Sequence, residues 1–253
     1  MDGVLYNSNT PISGAVETLA WVREQRIPHL FVTNTSSRSR MELVNKLANF
    51  GIEAREQQIM TPLFAAAKWL RTQEQGPIAL FVLRATAQAE FQGFDLLDSD
   101  AETGANFVVI GDLGTEWNFV TLNRAFRLLH ANPDARLIAL GMTRYWQAKD
   151  GLRLDVAPFV AALECAVQRK ALVFGKPSAL FFQAAAHQLG LPIEDLVMVG
   201  DDIEIDVGGA QSAGARAVLV QTGKFRPADL GGSVKPDVVL ESIAVLSKWW
   251  IGA

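Results

Sequence analysis

The pattern that most restricts the fold is a series of short apolar runs, each followed or preceded by a stretch with helical spacing. The runs fall at 29–33, 78–83, 107–110, 136–140, 171–174, 196–199 and 217–220. Most are continuous rather than alternating, so strands built from them need cover on both faces. Helical spacing lies at 15–25, 38–50, 118–130 and 179–189, and Gly51 stands where the second of these should stop. Such alternation predicts an α/β protein with a doubly wound parallel sheet. The middle third keeps its own strand–helix rhythm, which points to a second α/β domain inserted into a core.

The bulk properties remove several function classes. A chain of 253 residues with 49% hydrophobic and 20% charged residues can bury a large core and fill two domains. Its net charge is −4 and it carries no basic block, so no nucleic-acid surface is expected. No apolar stretch reaches membrane-span length, and no basic segment leads into an apolar run at the start. A cytoplasmic protein that meets no membrane is therefore expected. The one cysteine, Cys165, excludes a disulfide within the chain, and its helical context suggests a small buried hydrophobe. His29, His130 and His187 are isolated, and no GxSxG elbow occurs, which argues against a zinc site and a serine triad. No GxGxxG follows a first strand, which argues against a dinucleotide site.

Four segments can carry chemistry. After the apolar run ending at Val199 come Gly200, Asp201 and Asp202, with Asp206 four residues on. Loops at the carboxyl ends of parallel strands face the ligand crevice. Adjacent carboxylates there repel unless a cation lies between them, and hard oxygen ligands suit Mg²⁺. The plainer reading is a helix N-cap. Thr33, Asn34, Thr35, Ser36 and Ser37 also follow an apolar run; hydroxyls, an amide and backbone N–H groups at a helix start form a phosphate cradle, or simply a cap. Lys176, between Gly175 and Pro177, would sit at the same crevice edge and neutralise a phosphate or carboxylate, unless it is an ordinary surface lysine. Asp2-Gly3 says little by itself.

Taken in order, Asp-Gly, Thr-Asn, Lys-Pro and Asp-Asp-x-x-x-Asp resemble the four motifs of the haloacid dehalogenase (HAD) superfamily. The family's first motif is Asp-x-Asp-Gly-x-Leu, and Asp2, Gly3, Val4 and Leu5 match its second part. The insertion resembles the C2-type cap of the IIA branch. This sets the expected boundaries: a HAD-like core of 1–76 and 161–253, and an α/β cap of 77–160. Segments 152–158, 200–211 and 222–227 resemble one group of phosphatases within that branch.

The resemblance implies a phosphatase working through an aspartyl-phosphate on a small phosphorylated substrate, with Mg²⁺ as cofactor. It implies that Asp2 is the acid/base and gives a backbone carbonyl to the metal, and that Asp201 is the main carboxylate ligand. Asp202 and Asp206 would orient waters or Lys176. Thr33 and Asn34 would hold phosphate oxygens, and Lys176 would offset negative charge. A homodimer formed through the cap is a further expectation by analogy with related proteins. The nucleophilic Asp is expected immediately before Met1, on a central core strand that this chain does not contain. Without that strand its neighbours would expose unpaired backbone and an apolar gap, at ~1–3 kcal/mol for each unpaired buried group. A mis-set start is the expectation; the alternative is a catalytically inactive relative that binds a phosphate ligand or a partner. Substrate choice is expected from the cap, with Arg144 or Lys149 on an anion and Tyr145 or Trp146 over an apolar part, or else a solvated loop. Trp249 and Trp250 are expected on a packed helix face, and Lys224 or Arg226 near the crevice.

Overall fold

The structure is a computed structural model that describes residues 1–74, 76–83, 89–148 and 150–252. It divides into two compact units: Met1–Thr33 with Arg40–Met60 and Lys176–Ala253, and Asn34–Ser39 with Thr61–Gly175.

The first unit contains two parallel sheets. In one, Phe31–Val32 pairs with Ile59–Met60; in the other, Val197–Gly200, Arg216–Val220 and Val238–Leu240 lie side by side. Helix Ala15–Glu24 turns Ala15, Thr18 and Val22 inward, positions three and four apart on one face. Helix Ala179–Leu189 starts at Ser178, whose Oγ accepts the Leu180 N–H at 3.3 Å, and ends at left-handed Gly190. It buries Phe181, Phe182, Ala185 and Ala186. Among the described residues, no strand pair joins the two sheets. Leu30, Phe31 and Val32 instead line an apolar groove of ≈ 290 Å³ together with Val197, Met198 and Val199, and Met1, Val4 and Leu5 also border it.

The second unit has a four-stranded parallel sheet in the order Leu172–Val173, Arg136–Ala139, Phe107–Ile110, Ile78–Phe81. Phe107–Ile110 is buried throughout, as its unbroken apolar run requires. Helix Phe119–Ala131 is capped by Asn118, whose side chain accepts the Thr121 N–H at 2.9 Å, and helix Val156–Val167 by Asp155. Two strands, Tyr145–Ala148 and Gly151–Leu154, form a separate antiparallel hairpin.

Several expectations change. The run at 171–174 is not a core strand: Leu172 and Val173 pair with Ile138 and Ala139 in the second unit. That unit also extends beyond 77–160 at both ends. Helix Pro62–Leu70 belongs to it because Trp69 packs on Phe107 and Phe174, with ring centroids 6.2 and 5.3 Å apart. Cys165 is exposed, not buried, because the inward face of its helix is Val156, Ala157, Val160 and Leu163. Trp249 packs on the first unit's core, whereas Trp250 borders the groove. Among the described residues, no helix is long and apolar enough to cross a membrane.

Candidate active site

Strand Val197–Gly200 delivers Asp201 directly past its carboxyl end. Asp201, Asp206 and Lys176 are all buried. Lys176 Nζ donates to Asp206 Oδ1 at 2.6 Å, and Asp206 Oδ2 accepts the backbone N–H of Asp201 at 3.2 Å and of Asp202 at 3.4 Å. A wide turn over Ile203–Gly208 returns Asp206 to this position, with the N–H groups of both Asp206 and Val207 donating to the Asp202 carbonyl. Asp202 itself caps the turn, accepting from Glu204 and Ile205 N–H at 3.2 and 3.0 Å. The plainer cap reading thus applies to Asp202, whose side chain also pairs with Lys224 Nζ at 3.2 Å.

The two buried carboxylates are electrostatically unlike. Burial pushes the Asp201 pKa up, with Asp206 adding to the rise and the Lys224 N–H opposing it. Burial alone would also raise Asp206, but the Lys176 ammonium outweighs it and holds Asp206 below the ordinary carboxylate value. Asp201 is therefore the desolvated carboxylate that a cation would relieve.

The Asp2–Gly3 loop lies against Asp201. Gly3 has φ +76°, and a Cβ there would fall 2.0 Å from Asp201 Oδ2, so only glycine fits this approach. The Asp2 side chain is exposed, and its Oδ1 accepts from Gly3 and Ser8 N–H at 3.1 and 3.2 Å. The Met1 amine donates to the Val32 carbonyl at 3.4 Å. Burial, followed by the charge of Lys176, pushes that amine down to about 6, while Asp206, Asp201 and Asp2 act the other way.

Thr33 follows strand Phe31–Val32, and its N–H donates to the Met60 carbonyl at 3.1 Å. Asn34 belongs to the second unit, where its Oδ1 lies 3.6 Å from where a Gly175 Cβ would be. In that unit Arg144 lies over the Tyr145 ring at 5.9 Å, and Tyr145 and Trp146 are exposed on the hairpin; Lys149 lies outside the described residues.

Among the described residues, no three His, Cys, Asp or Glu side chains form a metal-holding group. Mg²⁺ takes one or two carboxylates and completes its shell with waters and substrate oxygens. The donor set fits: one desolvated carboxylate, Asp201, with the Asp2–Gly3 backbone packed against it.

A family profile described as haloacid dehalogenase-like hydrolase matches residues 1–96, and a second, HAD-hydrolase-like, matches residues 173–246. The chain is 40% identical over 249 residues to the phospholysine phosphohistidine inorganic pyrophosphate phosphatase of Homo sapiens, covering 96% of this chain and 89% of that protein. This chain belongs to the HAD-like hydrolases. A haloacid dehalogenase-like hydrolase domain-containing protein 2 from Bos taurus is also 40% identical, over 90% of this chain and 85% of its own length. Among solved structures, the p-nitrophenyl phosphatase from Archaeoglobus fulgidus superposes with TM-score 0.86 at 30% identity, covering 98% of this chain and 96% of that one. NagD from E. coli K-12 superposes with TM-score 0.83 at 26% identity, over 96% and 94% of the two chains. The fold of this hydrolase is the family's α/β architecture.

One part of the hydrolase's site was missed in the sequence. Thr222 and Gly223 reach the same cluster as Lys224: Thr222 Oγ1 donates to the Gly3 carbonyl at 2.5 Å, and Lys224 N–H donates to Asp201 Oδ2 at 2.8 Å. The available signal was strand Arg216–Val220 running into Thr-Gly-Lys, the same strand-end placement that drew attention to Lys176. Arg226 donates its backbone N–H to Asp229 at 2.7 Å.

Proposed function

We propose that this hydrolase is a Mg²⁺-dependent phosphatase of small phosphorylated compounds. The observation that carries this reading is the convergence of buried Asp201, the buried Lys176–Asp206 pair and the Asp2–Gly3 loop at one strand end. The relatives' names support the chemistry, since the human and archaeal proteins are both called phosphatases. No comparison favours the inactive alternative.

Asp201 and the Asp2 carbonyl would hold Mg²⁺, which when bound offsets the charge on the phosphoryl oxygens. Thr33 would supply its hydroxyl to those oxygens. Lys176 adds a fixed positive charge, and Asp206 holds its ammonium in place. By the family motif the nucleophile is an aspartate two residues ahead of Asp2. An aspartate there attacks phosphorus, and the P–O bond to the leaving group breaks as Asp2 donates a proton to that oxygen. Water then attacks the aspartyl-phosphate, Asp2 takes its proton, and inorganic phosphate leaves. An apolar groove borders Val32 and Val199.

The test is p-nitrophenyl phosphate hydrolysis with Mg²⁺ and with EDTA, on this chain and on the chain joined at Met1 to an apolar strand ending in Asp. Mg²⁺-dependent turnover by the joined chain is expected. A folded joined chain that turns over nothing contradicts the proposal.

A further inference from the structure

We infer that the turn Thr222-Gly223-Lys224 is a positioning element that locks the Asp2–Gly3 loop to the Asp201–Asp202 loop and so sets the geometry at which Asp201 meets Mg²⁺. The inference rests on the metal reading given above and adds residues to it. Three consecutive residues make three different contacts with the two loops. Thr222 Oγ1 donates to the Gly3 carbonyl at 2.5 Å. Gly223, at φ +61°, packs so closely that a Cβ would lie 2.2 Å from Asp201 Oδ2 and 2.4 Å from Gly3 Cα. Lys224 N–H donates to Asp201 Oδ2 at 2.8 Å, and Lys224 Nζ pairs with Asp202 Oδ2 at 3.2 Å.

These contacts are unequal. The Lys224–Asp202 pair is largely exposed on the lysine side, at 73%. Exposed pairs contribute little. The Thr222 hydroxyl and the Lys224 N–H act directly on the Gly3 backbone and on Asp201, both beside the metal position. Among the described residues, Asp201 Oδ2 accepts a hydrogen bond and Oδ1 does not, so the turn anchors one oxygen and presents the other. Groups behind a ligand that orient it change metal affinity about 10–100-fold when removed.

The experiment follows the Lys224 amide resonance during a Mg²⁺ titration of the chain, with far-UV circular dichroism in EDTA as a check on folding. Thr222→Val is expected to weaken Mg²⁺ binding about tenfold or more, and Thr222→Ser to restore it to within about threefold. Gly223→Ala should weaken binding at least as much, and Lys224→Met should stay within about twofold. Should Thr222→Val unfold the chain, Gly223→Ala and Thr222→Ser decide the matter. Unchanged affinity in the folded Thr222→Val and Gly223→Ala chains overturns the inference while leaving the metal reading intact. An unsubstituted chain that does not bind Mg²⁺ overturns both.

Discussion

Lys176 and Asp206 form a buried pair 2.6 Å apart, and removing one member leaves the other charged and uncompensated. Asp206→Asn should therefore cost about 3–5 kcal/mol in denaturant unfolding at neutral pH. The pH dependence follows from direction. Asp206 has a folded pKa below its unfolded value, so its stabilisation is present above the unfolded value and lost as pH falls through the folded one. Acid unfolding of the unsubstituted chain should be steeper than that of Asp206→Asn. Asp201 runs the opposite way. Its folded pKa is raised, so its contribution is present below the unfolded value and lost as pH rises through the folded one. Asp201→Asn should thus unfold at a higher temperature than the unsubstituted chain at neutral pH in EDTA, yet fail to gain stability from Mg²⁺. Lower thermal stability of Asp201→Asn in EDTA would contradict this. The carboxylates themselves were legible in the sequence as a strand-end cluster. The wide turn at Ile203–Gly208 that brings Asp206 back to Lys176 was not, because no local pattern encodes it.

At the scale of elements, most strands and helices were legible from unbroken apolar runs and 3.6-residue spacing. Partner choice was not. Leu172–Val173 has the same apolar character as a core strand, and its register against Ile138 and Ala139 is a long-range choice that no local pattern encodes. Helix Pro62–Leu70 escaped notice although its start is explicit: Thr61 Oγ1 accepts the Phe64 N–H at 3.1 Å and Pro62 takes the first position. Thr61→Ala should cost about 1 kcal/mol, read as a shift in the unfolding midpoint. The groove beside Phe31–Val32 and Val197–Gly200 makes a second prediction. Joining an apolar strand ahead of Met1 should raise stability by several kcal/mol, since each fully buried Val, Leu or Ile contributes roughly 1.5–3. It should also abolish binding of a dye specific for exposed apolar surface. Unchanged dye binding with unchanged stability would mean that the strand does not enter the groove.

For the whole molecule, each unit buries its own core, one around Leu47, Ile59 and Val220 and the other around Val108, Ile110 and Leu128. The site residues Asp2, Thr33, Lys176, Asp201, Asp202 and Asp206 all belong to the first. Leu128→Ala, at a fully buried position of the second unit, should cost about 2–5 kcal/mol there and leave Mg²⁺ affinity unchanged. Trp69 and Phe174 join the second unit through ring packing, which no local signal in the sequence encodes. The proposed reaction depends on an aspartate two residues ahead of Asp2, as the family motif has it. The most direct test is the rate of p-nitrophenol release, with Mg²⁺, from two chains joined at Met1 to the same apolar strand, one ending in Asp and one in Asn. The Asp chain should be faster by about 10³-fold or more, and equal rates from two folded chains would contradict the account.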